Sequence, residues 1–93
     1  FIQFVNTQDS QLSNLVVTAS PNPFFEQTTI SIKGSEHQKV QLSLYNSLGI
    51  ILKQVTFKGT EFLLRKEGLP EGIYLYGIVV GEGNRFIGKL VVN

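Results

Sequence analysis

From residue 15 onward, apolar side chains fall in short runs of period two, each broken by Gly, Pro, Asn or Ser at intervals of about 8 to 12 residues. A period of two marks strands with one buried face, and the breaks come too often for a helix of useful length. Composition points the same way: Val, Ile and Thr supply 23 residues and Ala only one, a bias that pleated strands favour and helices do not. With 93 residues the chain has room for one core. A domain of this size buries only about 60 to 65% of its unfolded surface, so most apolar side chains are needed for stability. The expected class is all-β.

The first run, Leu15 to Ala19, stops at Ser20-Pro21-Asn22-Pro23, where two prolines remove backbone donors. Gln27 to Lys33 alternates with Thr28, Ile30 and Ile32 on one face. Lys39 to Tyr45 repeats the pattern with Val40, Leu42 and Leu44 inward, after a Gly34-Ser35-Glu36-His37 turn expected to close a hairpin between these two runs. Asn46-Ser47-Leu48-Gly49 turns into Ile50 to Phe57, whose facing the pattern leaves open. Thr60 to Lys66 is a fifth run, and 67–72 (EGLPEG) forms a corner. Ile73 to Val80 is apolar on both faces, Gly81-Glu82-Gly83-Asn84 closes a hairpin, and Arg85 to Val92 is the last run.

Seven short antiparallel strands can hide their apolar faces by stacking as two sheets, an immunoglobulin-like β-sandwich, with a small barrel as the alternative. Tyr74, just after the corner that contains Leu69 and Gly72, has the placement of a tyrosine corner and favours the sandwich. The sixth run sets Tyr74, Tyr76, Ile78 and Val80 toward the core and leaves Ile73, Leu75 and Val79 on the other face. That second apolar face asks either for a central position in the sheet or for a docked partner.

Charge and chemistry remove most functional classes. Eight basic against seven acidic residues create no field to steer nucleic acid or anionic membranes. The chain has no Cys, so disulfides, thiolate zinc and a cysteine nucleophile are excluded. His37 is the single histidine and Asp9 the single aspartate, which denies the chain a Ser-His-Asp triad on a rigid scaffold. His37 with Glu36 supplies too few ligands for zinc, and the scattered glutamates form no calcium loop. Their places at turns and strand ends suit a solvated surface better than a glycosidase pair. Gly81-Glu82-Gly83 joins two strands and precedes no helix, so it is a hairpin and not a phosphate cradle. No catalytic residue, cofactor or metal is expected. Carbohydrate binding or adhesion remains as an alternative through Tyr45 and Tyr76, although the chain has no Trp, as does a structural domain appended to an enzyme.

Residues Asn6, Thr7, Gln8, Asp9, Ser10, Gln11, Leu12, Ser13 and Asn14 are polar and aperiodic, a linker composition. The expected division is therefore 1–14 as a linker or the tail of a preceding domain and 15–93 as the folded module, with Phe1 to Val5 read either as a loose first strand or as part of that tail. From Phe1 the sequence lacks a basic segment followed by an apolar run, so it is expected to carry no secretory signal of its own and to be a fragment of a longer chain. The longest apolar run is far shorter than the roughly 20 residues that a spanning helix needs, so a soluble chain without direct membrane insertion is expected.

Taken in order, Ser20-Pro21-Asn22-Pro23-Phe24, Thr28-Thr29-Ile30, Leu44-Tyr45-Asn46-Ser47-Leu48-Gly49, Gly68-Leu69-Pro70-Glu71-Gly72-Ile73-Tyr74 and Lys89-Leu90-Val91-Val92 form a series. The series resembles the C-terminal sorting domain of type IX secretion, type A, over residues 15–93. Each motif alone is weak; their order carries the resemblance. It implies a noncatalytic module that directs a larger cargo protein upstream of it across the outer membrane, with transit through the periplasm and arrival at the cell surface or in the medium. The implied partners are the type IX translocon and a sortase-like protease that removes the domain. The implied recognition motif comprises Pro21, Asn22, Pro23, Leu48, Gly49, Leu69, Gly72, Tyr74, Lys89, Leu90, Val91 and Val92. Of these, Pro21, Gly49, Gly72 and Tyr74 have evident tasks in folding, which leaves Lys89 and the terminal strand as the better contacts. Asn6 to Asn14 is the implied processing linker, because a protease needs accessible extended backbone. Ile50 and Lys66-Glu67 depart from the family's usual residues and bear on the register of the fourth and fifth strands. An exposed strand edge would also admit a weak homodimer.

Overall fold

The computed structural model describes residues 15–34 and 38–93. Seven strands follow in order: β1 Val16–Ser20, β2 Gln27–Lys33, β3 Lys39–Tyr45, β4 Ile51–Lys58, β5 Glu61–Arg65, β6 Gly72–Val80 and β7 Asn84–Val92. They form a three-stranded sheet, β1-β2-β5, and a four-stranded sheet, β4-β3-β6-β7, with every strand pair antiparallel. The two sheets stack as the expected immunoglobulin-like sandwich. The linker assigned to 1–14, the alternative strand at 1–5 and the turn residues Ser35, Glu36 and His37 lie outside the described residues.

One core lies between the sheets. Val17, Ile30, Ile32 and Leu64 enter it from the smaller sheet, and Val40, Leu42, Leu44, Ile78, Val80 and Leu90 from the larger. The alternation on β2, β3 and β6 places Thr28, Ile30, Ile32, Val40, Leu42, Leu44, Tyr74, Tyr76, Ile78 and Val80 inward, as the period of two requires. β6 is a central strand between β3 and β7, which half-shields Leu75 and Val79 on its outer face but leaves Ile73 exposed. The Tyr74 hydroxyl donates to the Pro70 carbonyl at 2.6 Å and completes the tyrosine corner.

The expected β2–β3 hairpin does not form. β2 pairs with β1 and β5, whereas β3 pairs with β4 and β6. Periodicity identifies which face of a strand is buried but not which sheet it joins. Here both buried faces serve the core best across the sandwich, so the chain crosses between sheets after Gly34. β4 turns Lys53, Val55 and Phe57 partly inward, and the register shift at Leu44/Tyr45 accounts for its unclear pattern. One extra residue there re-aims the side chains on either side of the irregularity.

Burial without a hydrogen-bond partner among the described residues pushes the Tyr76 hydroxyl up to about 12. An unfolded tyrosine titrates near 10, so the neutral form belongs to the folded state. The stability it confers is full below about pH 10 and is lost as pH rises toward 12, by roughly 2 to 3 kcal/mol. Tyr76→Phe is therefore expected to hold its urea midpoint over that alkaline interval better than the natural chain does. Equal alkaline losses in the two proteins would contradict this account.

Candidate recognition end

Topology sets the site. Strands β1, β3, β5 and β7 run one way and the even-numbered strands the other, so the β1–β2, β3–β4 and β5–β6 connections and the end of β7 share one end of the sandwich. Leu15 stands at the opposite end, where Val16 pairs with Lys33. Every residue of the implied recognition motif lies on or beside the shared end.

At its centre the proline segment is sewn to the last strand. Pro21 and Pro23, both after cis peptide bonds, lack the N–H that would continue a ladder. Between them the Asn22 side chain replaces a peptide group: its Nδ2 donates to the Lys89 carbonyl at 2.8 Å, and its Oδ1 accepts from the Val91 N–H at 3.0 Å. Phe24 N–H then donates to the Val91 carbonyl at 3.0 Å, and Asn93 N–H to the Phe24 carbonyl at 2.8 Å. The result is a short parallel bridge between Phe24 and Val92, with the Phe24 ring fully buried. Thr28, itself buried, donates its hydroxyl to the Pro21 carbonyl at 2.7 Å, which fastens the segment to the smaller sheet. Lys66 Nζ donates to the Asn93 carbonyl at 3.0 Å.

The neighbouring turns are held as firmly. Asn46 Oδ1 accepts from the N–H groups of Leu48 and Ile50 at 2.9 and 3.0 Å, and Gly49 takes a φ of 87°, which a side chain would resist. This turn projects Leu48 into solvent at 82% exposure. In the next connection Leu69 packs partly against the core and its N–H donates to the Lys66 carbonyl. Gly72 adopts a φ of 148° as β6 begins.

The motif thus divides by burial. Tyr74, Leu90 and Val92 belong to the core, while Pro21, Asn22, Pro23, Leu48 and Lys89 are exposed. Asn22, between Pro21 and Pro23, bonds directly to the Lys89 to Val92 stretch, and Gly72 is the ladder partner of Val92; Leu48, Gly49 and Leu69 share the end without bonding to that junction. The implied recognition motif omits Phe24 and Asn46, although the motif series contains both, and it omits Lys66 and the exposed Phe25 and Ile50. Asn46 carried a local signal, since asparagine before Ser-Leu-Gly caps its own turn. Phe24 closes the proline motif, but nothing local shows its burial or its bonds to β7, because those partners are distant in sequence.

Among the described residues no three His, Cys, Asp or Glu side chains group together as metal ligands, and the ion pair Lys53–Glu67 is an exposed 3.9 Å contact. Tyr76 and Tyr74 are buried, and the half-buried Tyr45 ring lies over Gly77 on the outer face of the larger sheet. No helix of the described chain is long and apolar enough to cross a membrane.

A family model for the secretion system C-terminal sorting domain matches residues 18–93. The chain belongs to this family. The sorting domain is a signal for type IX secretion, which implies interaction with the secretion machinery, a cargo protein upstream, and export to the cell surface or the medium. Comparison with curated proteins gave no match.

Proposed function

We propose that the sorting domain is noncatalytic and that its motif end is the surface read by the type IX translocon in the periplasm. The supporting observation is the gathering of all the motif turns and the end of β7 at one end of the sandwich, opposite Leu15. Cargo joined through residues 1–14 would then trail from the far end and leave the recognition end unobstructed. Within that end, Leu48 and Lys89 are the contact residues, because both are exposed and neither is needed by the core. Asn22, Phe24, Gly49, Gly72 and Tyr74 act by holding the surface in shape. After passage, a sortase-like protease cuts between Asn6 and Asn14, and the cargo is attached to the surface or released.

The test fuses the whole chain behind a periplasm-targeted fluorescent reporter in matched translocon-competent and translocon-deficient cells. The natural fusion is expected to reach the surface or medium only in competent cells. Leu48→Ser and Lys89→Glu are expected to retain it in the periplasm while changing stability by less than about 0.5 kcal/mol, as exposed substitutions do. Normal export of both variants would overturn the assignment of the contact surface. Retention of the natural fusion in competent cells would overturn sufficiency of the domain.

A further inference from the structure

β7 is an edge strand of the larger sheet, and among the described residues only its last part is covered. The bonds from Asn22 and Phe24 use the outward groups of Lys89 and Val91. Strand alternation then assigns the N–H and C=O groups of Arg85 and Ile87, and the N–H of Lys89, to the open side. No hydrogen bond from another segment of the described chain meets them. The three side chains share the outer face with Ile73 and Leu75, and Arg85, Ile87 and Lys89 are all exposed. Neither cation has a carboxylate partner among the described residues.

We infer that this open stretch of β7 receives an added strand from an acidic protein segment, with an apolar residue opposite Ile87 and carboxylates two positions to either side. Backbone pairing supplies the attachment, and the charge pattern selects the partner. Asn22 closes the stretch at Lys89, so the incoming strand spans about five residues, roughly 17 Å. A second copy of this chain fits badly. The one self-pairing that uses the whole open edge is centred on Ile87, and it sets Arg85 against Lys89 twice, a like-charge opposition that destabilises paired strands. The same two cations that repel a copy attract carboxylates at those positions. The pairing itself is independent of the proposed sorting role; its use by the secretion machinery rests on that reading.

Nuclear magnetic resonance titration of the full chain with the end-blocked peptide Thr-Glu-Thr-Val-Thr-Glu-Thr tests the inference in solution, apart from export. Saturable amide shifts and slowed exchange are expected at Arg85, Ile87 and Lys89. Exchanging both Glu for Lys in the peptide should weaken binding roughly tenfold at low salt, and added salt should narrow the gap. In the double variant Arg85→Glu/Lys89→Glu, the preference should reverse toward the lysine peptide, which also shows that the variant is folded. Equal binding of the two peptides, shifts elsewhere, or no binding at millimolar peptide would overturn the inference. So would self-association in sedimentation equilibrium with shifts at the same three residues. Failure of export with intact peptide binding would count against the sorting role alone.

Discussion

Phe24→Ala is expected to lower stability by about 3 to 5 kcal/mol, the usual cost of emptying a fully buried aromatic site. For a domain of this size that is a large part of the roughly 5 to 15 kcal/mol that separates folded from unfolded chains. Phe24 is 1% exposed although it lies in an irregular segment, and its backbone binds Val91 and Asn93 at the same time. Removing the ring therefore opens a cavity and loosens the clasp that joins the proline segment to β7. Urea unfolding provides the check, with Phe25→Ser as the neighbouring control. Phe25 is 71% exposed, so its replacement should move the midpoint little. A loss below about 1 kcal/mol for Phe24→Ala would mean that the clasp stands outside the cooperative core. The pair also separates two ways of losing export, since a Phe24 variant would fail by unfolding and not by loss of a contact.

Gly88→Val should destabilise the domain by about 2 to 4 kcal/mol, as overpacking of a filled core does. Strand propensity alone argues the other way, because valine suits a strand and glycine weakens one. The decisive fact is the Tyr76 ring, which lies across Gly88 from the neighbouring strand. A Cβ at Gly88 would sit 2.6 and 2.7 Å from two atoms of that ring and 2.8 Å from the Phe86 ring. Tyr76 is 3% exposed and has nowhere to move. Combining Gly88→Val with Tyr76→Leu should recover part of the loss, a coupling that a double-mutant cycle measures. Gly77→Val gives a contrast on the outer face, where the nearest atom is Tyr45 Cε2 at 3.4 Å and the cost should be small. Equal losses at Gly77 and Gly88 would refute the steric account.

Much of this architecture is local and was therefore legible in the residues. Thr28-Thr29-Ile30 and Val40-Gln41-Leu42 show by alternation alone which side faces the core, because a strand has only two faces. Pro21 and Pro23 end a strand wherever they fall, since the missing donor is a property of the residue. Gly49 announces a turn, and Tyr74 after Leu69-Pro70-Glu71-Gly72 announces its corner. The expected strands differ from those formed by about a residue at their ends: β1 runs to Ser20, and β5 is confined to Glu61–Arg65.

What the residues could not convey is which strands meet. The turn after Gly34 looked like a hairpin because a turn between two alternating runs has the same local chemistry whether the chain folds back or crosses to a facing sheet. Strand propensity treats Gly88 only as a residue that weakens β7, although it is the position that admits the Tyr76 ring. The amino-acid sequence by itself determined the all-β class, the positions of the strands, their buried faces and the series of motifs that identifies the family, since these follow from chain periodicity and from the backbone limits of proline and glycine. Only the tertiary structure decided that the motifs share one end, that Asn22 and Phe24 clasp β7, and that Arg85, Ile87 and Lys89 lie on an edge that no other described residue covers. Those outcomes depend on strand order and on pairings across 67 to 69 residues of chain, which no local pattern encodes.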